Sequence, residues 1–449
     1  MLKNQKRTVT IGIKKIRKSW GRDMSDTVKV LECLRAGQLD EKILDIYVDG
    51  NGLSYQRERY MNAVKTYEDI FGVEEISIYS APGRSEIGGN HTDHQKGEVL
   101  VAAVNVDAIA VVHKTEDNCV QVVSNGYDMI TLYLDDLNAQ KEEEGTTLSL
   151  IKGVLFGVKD KGYRIGGFKA YITSDVLIGA GLSSSAAFET VIGTILSGLY
   201  NDMRISPVEI AMIGQYAENV FFGKPCGLMD QMASSVGNLV HIDFADVKNP
   251  VIERVACDFE SFGYSLCITD TKSSHADCTP EYAAVPREMK TAAGVFGKEV
   301  LREVSKEELL KNISKVREVA GDRATLRAIH FVMENDRVKK ETSALNTGDF
   351  EAFLENVKAS GNSSFKYLQN VYMNSDVEHQ NVSVALALSD VILGENGVSR
   401  VHGGGFAGTI QAFVKNEAVA EYQKFMNAVF GEGSCNEYKI RKYGGIQVI

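Results

Sequence analysis

From Thr27 to about Gly72, apolar residues recur at helical spacing, Tyr60, Ala63, Val64, Tyr67, Ile70 and Phe71 among them, and predict helices in a polar setting. The period then changes. Ile76 and Ile78 alternate with polar neighbours, predicting a short strand over 75–80 that runs into the polar, glycine-bearing stretch APGRSEIGGNHTDHQKG at 81–97, read here as a loop. Residues 98–113, 119–124 and 130–134 are rich in Val, Ala and Ile and predict strands, followed by a charged connector at 135–147. Residues 168–173 alternate again. Beyond the loop SDVLIGAGLSSS, the side chains of Phe188, Val191, Ile192, Ile195, Leu196 and Leu199 fall on one helical face. Ser206, Pro207 and Glu209 supply an N-cap, a first-turn proline and a capping-box acid for a helix with Glu218 in its last turns, which Gly223 and Pro225 end. After CGLMDQMASSVG comes a strand at 239–244. The second half reads as a strand at 264–270, a polar loop and long helical stretches from about Pro286 to Ala387. Strands at 398–401 and 409–414 around a glycine loop follow, then a helix at 417–429. Strands alternating with helices in both halves predict an α+β fold. Two domains are expected, at 55–248 and 249–449, behind an N-terminal extension at 1–54.

Composition narrows the function. The 449 residues carry 49 Lys plus Arg against 60 Asp plus Glu, a net charge of −11, which excludes a generally basic nucleic-acid binder. With 44% hydrophobic and 24% charged residues, the chain has ordinary globular usage, which argues against disorder and fibrous repeats. The charge is uneven: residues 1–23 hold eight basic residues against the single acid Asp23. Their longest apolar run is far too short for a secretory signal, so they read as a disordered leader ahead of a start at Met24. Seven scattered cysteines without CxxC spacing give neither a disulfide framework nor a zinc site. No apolar run approaches the roughly 18 residues of a membrane span. A cytoplasmic protein, monomer or weak dimer, with no nucleic-acid or membrane partner, is expected.

Four stretches carry candidate chemistry. In GAGLSSSAA at 179–187, Gly179 and Gly181 let backbone approach a ligand, and Ser183, Ser184 and Ser185 sit where a helix dipole favours an anion. This is a phosphate cradle, or else a small-residue loop for close packing; no GxxxxGK[ST] occurs, so it is not a Walker A loop. Asp230 in MDQ follows Glu218 by twelve residues, an order that supplies a base and a metal ligand around a triphosphate. Arg84, Asn90, His91, Asp93 and His94 share one stretch whose imidazole, carboxylate and amide groups suit hydroxyl recognition, as on a sugar. HGGGFAG at 402–408 contains a formal GxGxxG, but TIQAFV after it reads as a strand where a dinucleotide site needs a helix. A strand, glycine turn, strand element closing over a ligand is the better account.

APGRSEIGGNHTDH, GAGLSSSAA, CGLMDQMAS and GGGFAG, in this order, resemble the signatures of galactokinases in the GHMP kinase superfamily, from about Tyr55 to the C-terminal strand and helix. The resemblance implies an N-terminal α/β domain and a C-terminal ferredoxin-like α+β domain with the active site between them. It also implies ATP and Mg²⁺ as cofactors and a sugar phosphorylated at C1. Carried over by motif, Asp230 would take the proton of the C1 hydroxyl, and Arg84 would stabilise it and the transferring phosphoryl group. Gly179, Gly181, Leu182, Ser183, Ser184, Ser185 and Ala186 would bind ATP; Ser184 or Ser185 and Glu218 would hold magnesium. His91, Asp93, Gly227 and Tyr282 match positions that contact galactose. Asn90 stands where the family has a Glu expected at the sugar 6-hydroxyl, and His94 where it has Tyr, so a uronic acid, amino sugar or pentose of galactose configuration enters the field. A sugar and ATP sensor without catalysis is the rival reading. Such sensors lose a Ser-Ala pair in the serine loop, whereas Ser185 and Ala186 are present. A homoserine or mevalonate kinase is disfavoured by the NHTDH stretch.

Overall fold

The polar N-terminal pattern folds as three helices, α1 (Thr27–Arg35), α2 (Asp40–Tyr47) and α3 (Leu53–Phe71). The computed structural model describes residues 26–50, 52–176, 181–273 and 278–449; the leader at 1–23, Met24 and Gly179 lie outside them. The expected extension is no appendage where it is described. Val30, Leu34, Ile43, Ile46, Tyr60, Val64 and Tyr67 form an apolar stripe that buries against Ile78, Ile109, Val111 and Tyr171 of the first sheet.

That sheet is built from β1 (Ser77–Gly88), β2 (Glu98–Lys114), β3 (Cys119–Ser124) and β4 (Ile130–Tyr133). Helix α4 (Thr147–Asp160) leads to β5 (Phe168–Ser174), then come α5 (Ser184–Asn201), α6 (Pro207–Tyr216), α7 (Met229–Val236), β6 (Leu239–Asp243) and β7 (Val251–Arg254). The long β2 pairs with β1 over most of its length, with β5 at its C-terminal half and with β6 at its N-terminal half. Residues 81–88, expected in a loop, are the second half of β1. A sequence so polar forms a buried strand because its side chains find charged or hydroxyl partners: Ser80 meets Arg441, Arg84 meets Asp230 and Glu86 meets Arg400. Register shifts between Pro82 and Arg84 and between Glu86 and Gly88 absorb the proline and bend the strand.

The second domain contributes β8 (Tyr264–Asp270), α8 (Thr279–Gly294), α9 (Lys306–Lys311), α10 (Ile313–Ala320), α11 (Asp322–Thr347), α12 (Phe350–Ser363) and α13 (Asn381–Leu393). Strands β9 (Gly397–His402) and β10 (Thr409–Lys415), helix α14 (Val419–Phe430) and β11 (Cys435–Tyr438) complete an antiparallel sheet of order β11-β8-β10-β9. Pro286 lies inside α8, whose first turn carries Pro280, so helix begins earlier than the proline pattern indicates.

The chain crosses the expected boundary at 248/249 twice. β7 pairs antiparallel with β6, Val240 opposite Arg254, and so belongs to the first sheet. At the other end β12 (Ile446–Gln447) pairs with β1, Tyr79 opposite Gln447. The seam is a buried polar knot on Asp107: Tyr47 Oη donates to its carboxylate at 2.8 Å, Arg59 Nη1 at 2.6 Å and Arg441 Nη1 at 2.7 Å. Burial alone would push the Asp107 carboxyl up, but the two guanidiniums hold it below the usual carboxylate range. An expected two-domain α+β architecture thus stands, with the first domain assembled from two stretches of chain, one running through β7 and one at the C-terminal end.

Candidate active site

Between the domains opens a cleft of about 950 Å³, lined by β1, the loop after it and the start of α7 on one side, and by α8 and the glycine turn between β9 and β10 on the other. Its inner end is organised on Asp230, in the first turn of α7. Arg84 reaches across from β1 and grips both carboxylate oxygens, Nε to Oδ1 at 2.5 Å and Nη2 to Oδ2 at 2.7 Å. Burial would raise the Asp230 carboxyl, yet the Arg84 charge and hydrogen bonds hold it below its ordinary value, so it is ionised at neutral pH. The side chain remains 30% exposed toward the cleft.

The serine loop meets the same carboxylate. Ser183 occupies the N-cap of α5 in the left-handed region, φ 54°, and makes no cap hydrogen bond; its Oγ donates to Asp230 Oδ2 instead. Arg84 Nη1 donates to the Gly181 carbonyl, and its backbone N–H to the Leu182 carbonyl at 3.1 Å. Gly181 has φ 69°, and a Cβ there would fall 2.9 Å from His402 Nδ1 and nearer still to Thr409 Oγ1. Glycine is therefore required where the loop touches the second domain. Ser184 opens the helix, half-buried beside Ser185, while Ala186 is fully buried.

Glu218 lies in a π turn at Ala217–Phe221 that continues α6, a local widening found frequently at functional sites. The capping box expected from Ser206 and Glu209 starts this helix. Glu218 accepts from Ser185 Oγ at 3.1 Å, Lys224 Nζ at 2.9 Å and Gln231 Nε2 at 2.8 Å. Behind it the buried Gln231 Oε1 and Glu189 Oε1 have no hydrogen-bond partner among the described residues. One carboxylate and serine hydroxyls form a hard oxygen set that fits a Mg²⁺ completed by phosphate oxygens and water.

On the outer side, His91 sits in the left-handed region and donates from Nε2 to the Gly404 carbonyl at 2.9 Å, so its Nδ1 is the acceptor; burial pushes its pKa down to about 4. Asp93 accepts from the His94 amide at 2.8 Å, and burial together with the neighbouring Asp230 charge pushes its carboxyl up to about 6. Gly227 packs on that carboxylate: a Cβ would lie 2.5 Å from Asp93 Cγ and closer to Oδ2. Tyr282 donates to the Gly405 carbonyl at 2.6 Å and packs edge-on to Phe406. All four line or abut the cleft.

Asn90 does not face it. The residue is fully buried, and the peptide carbonyl accepts from His330 Nε2 at 2.9 Å of α11. Its side chain ties β1 to the second domain, because Gly403, Ser364 and Asn370 converge there and close it off from the cleft. Asn90, expected at the sugar, is thus buried with its side chain engaged away from the cleft in this structure. Sequence reasoning also passed over Glu86, Lys224 and Gln231. Glu86 follows Arg84 by two residues, and the period of a strand would have placed both on one face.

An ionised aspartate gripped by arginine beside a serine loop at a helix N-terminus, in a cleft between two α+β domains, is the arrangement of a GHMP-type small-molecule kinase. Residues 149–238 match the family model described as GHMP kinases N terminal domain, and residues 65–114 the galactokinase galactose-binding signature. The galactokinase of Glaesserella parasuis serovar 5 is 32% identical over 366 residues, 80% of this chain and 91% of that one; the galactokinase of Actinobacillus pleuropneumoniae is 31% identical, covering 81% and 92%. The chain belongs to the galactokinase family and is a sugar kinase. In fold it is similar to Lactococcus lactis galactokinase complexed with galactose, TM-score 0.74 at 23% identity over 85% of this chain and 98% of that one. Similarity to a mevalonate kinase is lower, TM-score 0.54 at 18% identity over 81% and 99%.

Proposed function

We propose that the protein transfers the γ-phosphoryl group of ATP to the C1 hydroxyl of galactose or a galactose-configured sugar, giving the sugar 1-phosphate and ADP. The observation that carries this reading is the convergence on Asp230 of both halves of the reaction, the serine loop through Ser183 and the sugar side through Arg84. With the sugar between His91, Asp93, Gly227 and Tyr282, the C1 hydroxyl comes to Asp230. Its proton passes to the carboxylate as the sugar oxygen bonds to the γ-phosphorus and the bond to the ADP oxygen breaks. A carboxylate held ionised by Arg84 is a weak base, which suits a loose transition state in which positioning and charge stabilisation dominate. Arg84 stays beside the developing charge, and N–H groups at the start of α5 cradle phosphate oxygens. Ser185, Ser184 and Glu218 would hold Mg²⁺, which when bound neutralises phosphate charge. Among the described residues no helix is long and apolar enough to cross a membrane; a cytoplasmic monomer or weak dimer remains our expectation.

The test is ADP release and sugar phosphate formation with MgATP and galactose, galacturonate, N-acetylgalactosamine and arabinose side by side, for the parent and for Asp230→Asn. The parent should phosphorylate at least one sugar, and the variant should lose kcat by two or more orders of magnitude. No ATP-dependent sugar phosphate from any of them would refute the reading.

A further inference from the structure

Asn90 leaves the sugar pocket without the side chain expected to supply its polar contact, and its hydrogen bonds show why nothing on it remains available. Nδ2 donates to Glu86 Oε1 at 3.0 Å and to the Gly403 carbonyl at 2.7 Å; Oδ1 accepts from Ser364 Oγ at 3.1 Å and Asn370 Nδ2 at 2.8 Å. A primary amide has two donors and two acceptor lone pairs, and all four are occupied.

Glu86, by contrast, lines the cleft. Its Oε1 is held by Asn90 and by Arg400. Arg400 is itself fully buried and fixed by the Ile87 carbonyl at 2.9 Å and the Val401 carbonyl at 3.0 Å, so the carboxylate cannot swing with it. The other oxygen, Oε2, makes no hydrogen bond among the described residues, and it is not one of the sealed-off unpartnered polar atoms of the interior. The side chain is only 2% exposed, and a carboxylate oxygen kept rigid, without a partner among the described residues, in the wall of a ligand cleft is an acceptor waiting for a donor. From this geometry we propose that Glu86 is a specificity-determining residue for the sugar, its Oε2 accepting a hydrogen bond from one sugar hydroxyl. The substrate class this selects is a neutral sugar offering a hydroxyl there; a carboxylate at that position of the sugar would meet a like charge. Asn90 and Arg400 act as positioning residues that aim the carboxylate. The inference rests on the sugar-kinase reading above.

The experiment measures kcat/KM for galactose and its 2-, 3-, 4- and 6-deoxy analogues with MgATP, in the parent, Glu86→Gln and Glu86→Asp. In the parent, removing the hydroxyl that Glu86 holds should cost about 10²-fold, as for a hydrogen bond to a charged acceptor. In Glu86→Gln the penalty for that one analogue should shrink at least tenfold while the other analogues keep theirs, a re-weighting a merely structural role would not produce. Glu86→Asp, which keeps the charge but withdraws it by one methylene, should show the same re-weighting and decides the matter if the Gln variant fails to fold. An unchanged penalty pattern in a folded variant overturns the role of Glu86 and leaves the kinase reading standing. A parent inactive on every sugar overturns both.

Discussion

The packing of Gly227 on Asp93 makes Gly227→Ala a sharp probe of the sugar pocket. The added methyl would sit 2.5 Å from Asp93 Cγ, against the roughly 3.5–4.0 Å at which carbon atoms rest, so the carboxylate must withdraw by at least about 1 Å. Turning the Asp93 side chain away costs only about 0.5–1.5 kcal/mol of rotamer strain. Losing a charge-assisted hydrogen bond to a sugar hydroxyl costs about 1.5–3 kcal/mol, which corresponds to roughly 10- to 150-fold in affinity. The expected outcome is therefore a rise of that order in the KM for the sugar, a KM for ATP within about twofold of the parent, and a melting temperature lowered by a few degrees at most. Steady-state kinetics with each substrate varied in turn, alongside a thermal melt, reads all three. A sugar KM unchanged in a folded variant would refute the placement of Asp93 at the sugar.

Other outcomes follow from the charges. Asp93 has its pKa raised by burial to about 6, so it accepts hydrogen bonds as a carboxylate only above that value; kcat/KM for the sugar should fall as pH drops through about 6. Glu86, pushed by burial to about 7 against the pull of Arg400 and Arg84, adds a second ionisation that Glu86→Gln should remove. A raised carboxyl favours the folded state at low pH, and that contribution is lost as pH rises through the folded value, so Asp93→Asn should raise the melting temperature at pH 8 and not at pH 4, while weakening sugar binding. Asp107→Asn removes the carboxylate that pairs the buried Arg441 and leaves the buried Arg59 only Asp175, 3.2 Å from its Nε. It should destabilise by about 3–5 kcal/mol in thermal or denaturant unfolding, and a loss below about 1 kcal/mol would contradict the knot. Glu218→Gln should raise the Mg²⁺ concentration for half-maximal rate at least tenfold with the sugar KM unchanged; a Mg²⁺ dependence like the parent's would remove Glu218 from the metal site.

What the sequence reveals divides by range. The capping box at Ser206 is legible because its signals lie within four residues, and most strands and helices follow from their own period. That Asp230, Arg84 and Ser183 of the serine loop meet in one place follows from the order of the motifs that carry them and not from any local pattern. The second half of β1 is not, since Glu86 is made tolerable in a buried strand by Arg400, 314 residues further on. The burial of Asn90 is hidden for the same cause: its partners Ser364, Asn370 and Gly403 lie 274 to 313 residues away. β7 and β12, four and two residues long, have too little pattern to declare themselves.

The knot on Asp107 also governs the order of events as the chain is made. Arg59 and Asp107 leave the ribosome 48 residues apart, but Arg441 follows Asp107 by 334 residues, an interval of roughly 20–70 s at about 5–20 residues per second of synthesis. Throughout it the first sheet lacks β12 and the buried carboxylate lacks one of its two cations. Finishing the first domain before the second is made, the ordinary course of vectorial synthesis, is closed to this chain. Its first domain waits without β12 and the Arg441 contact while the second is translated, and completing it is a loop closure across three-quarters of the protein.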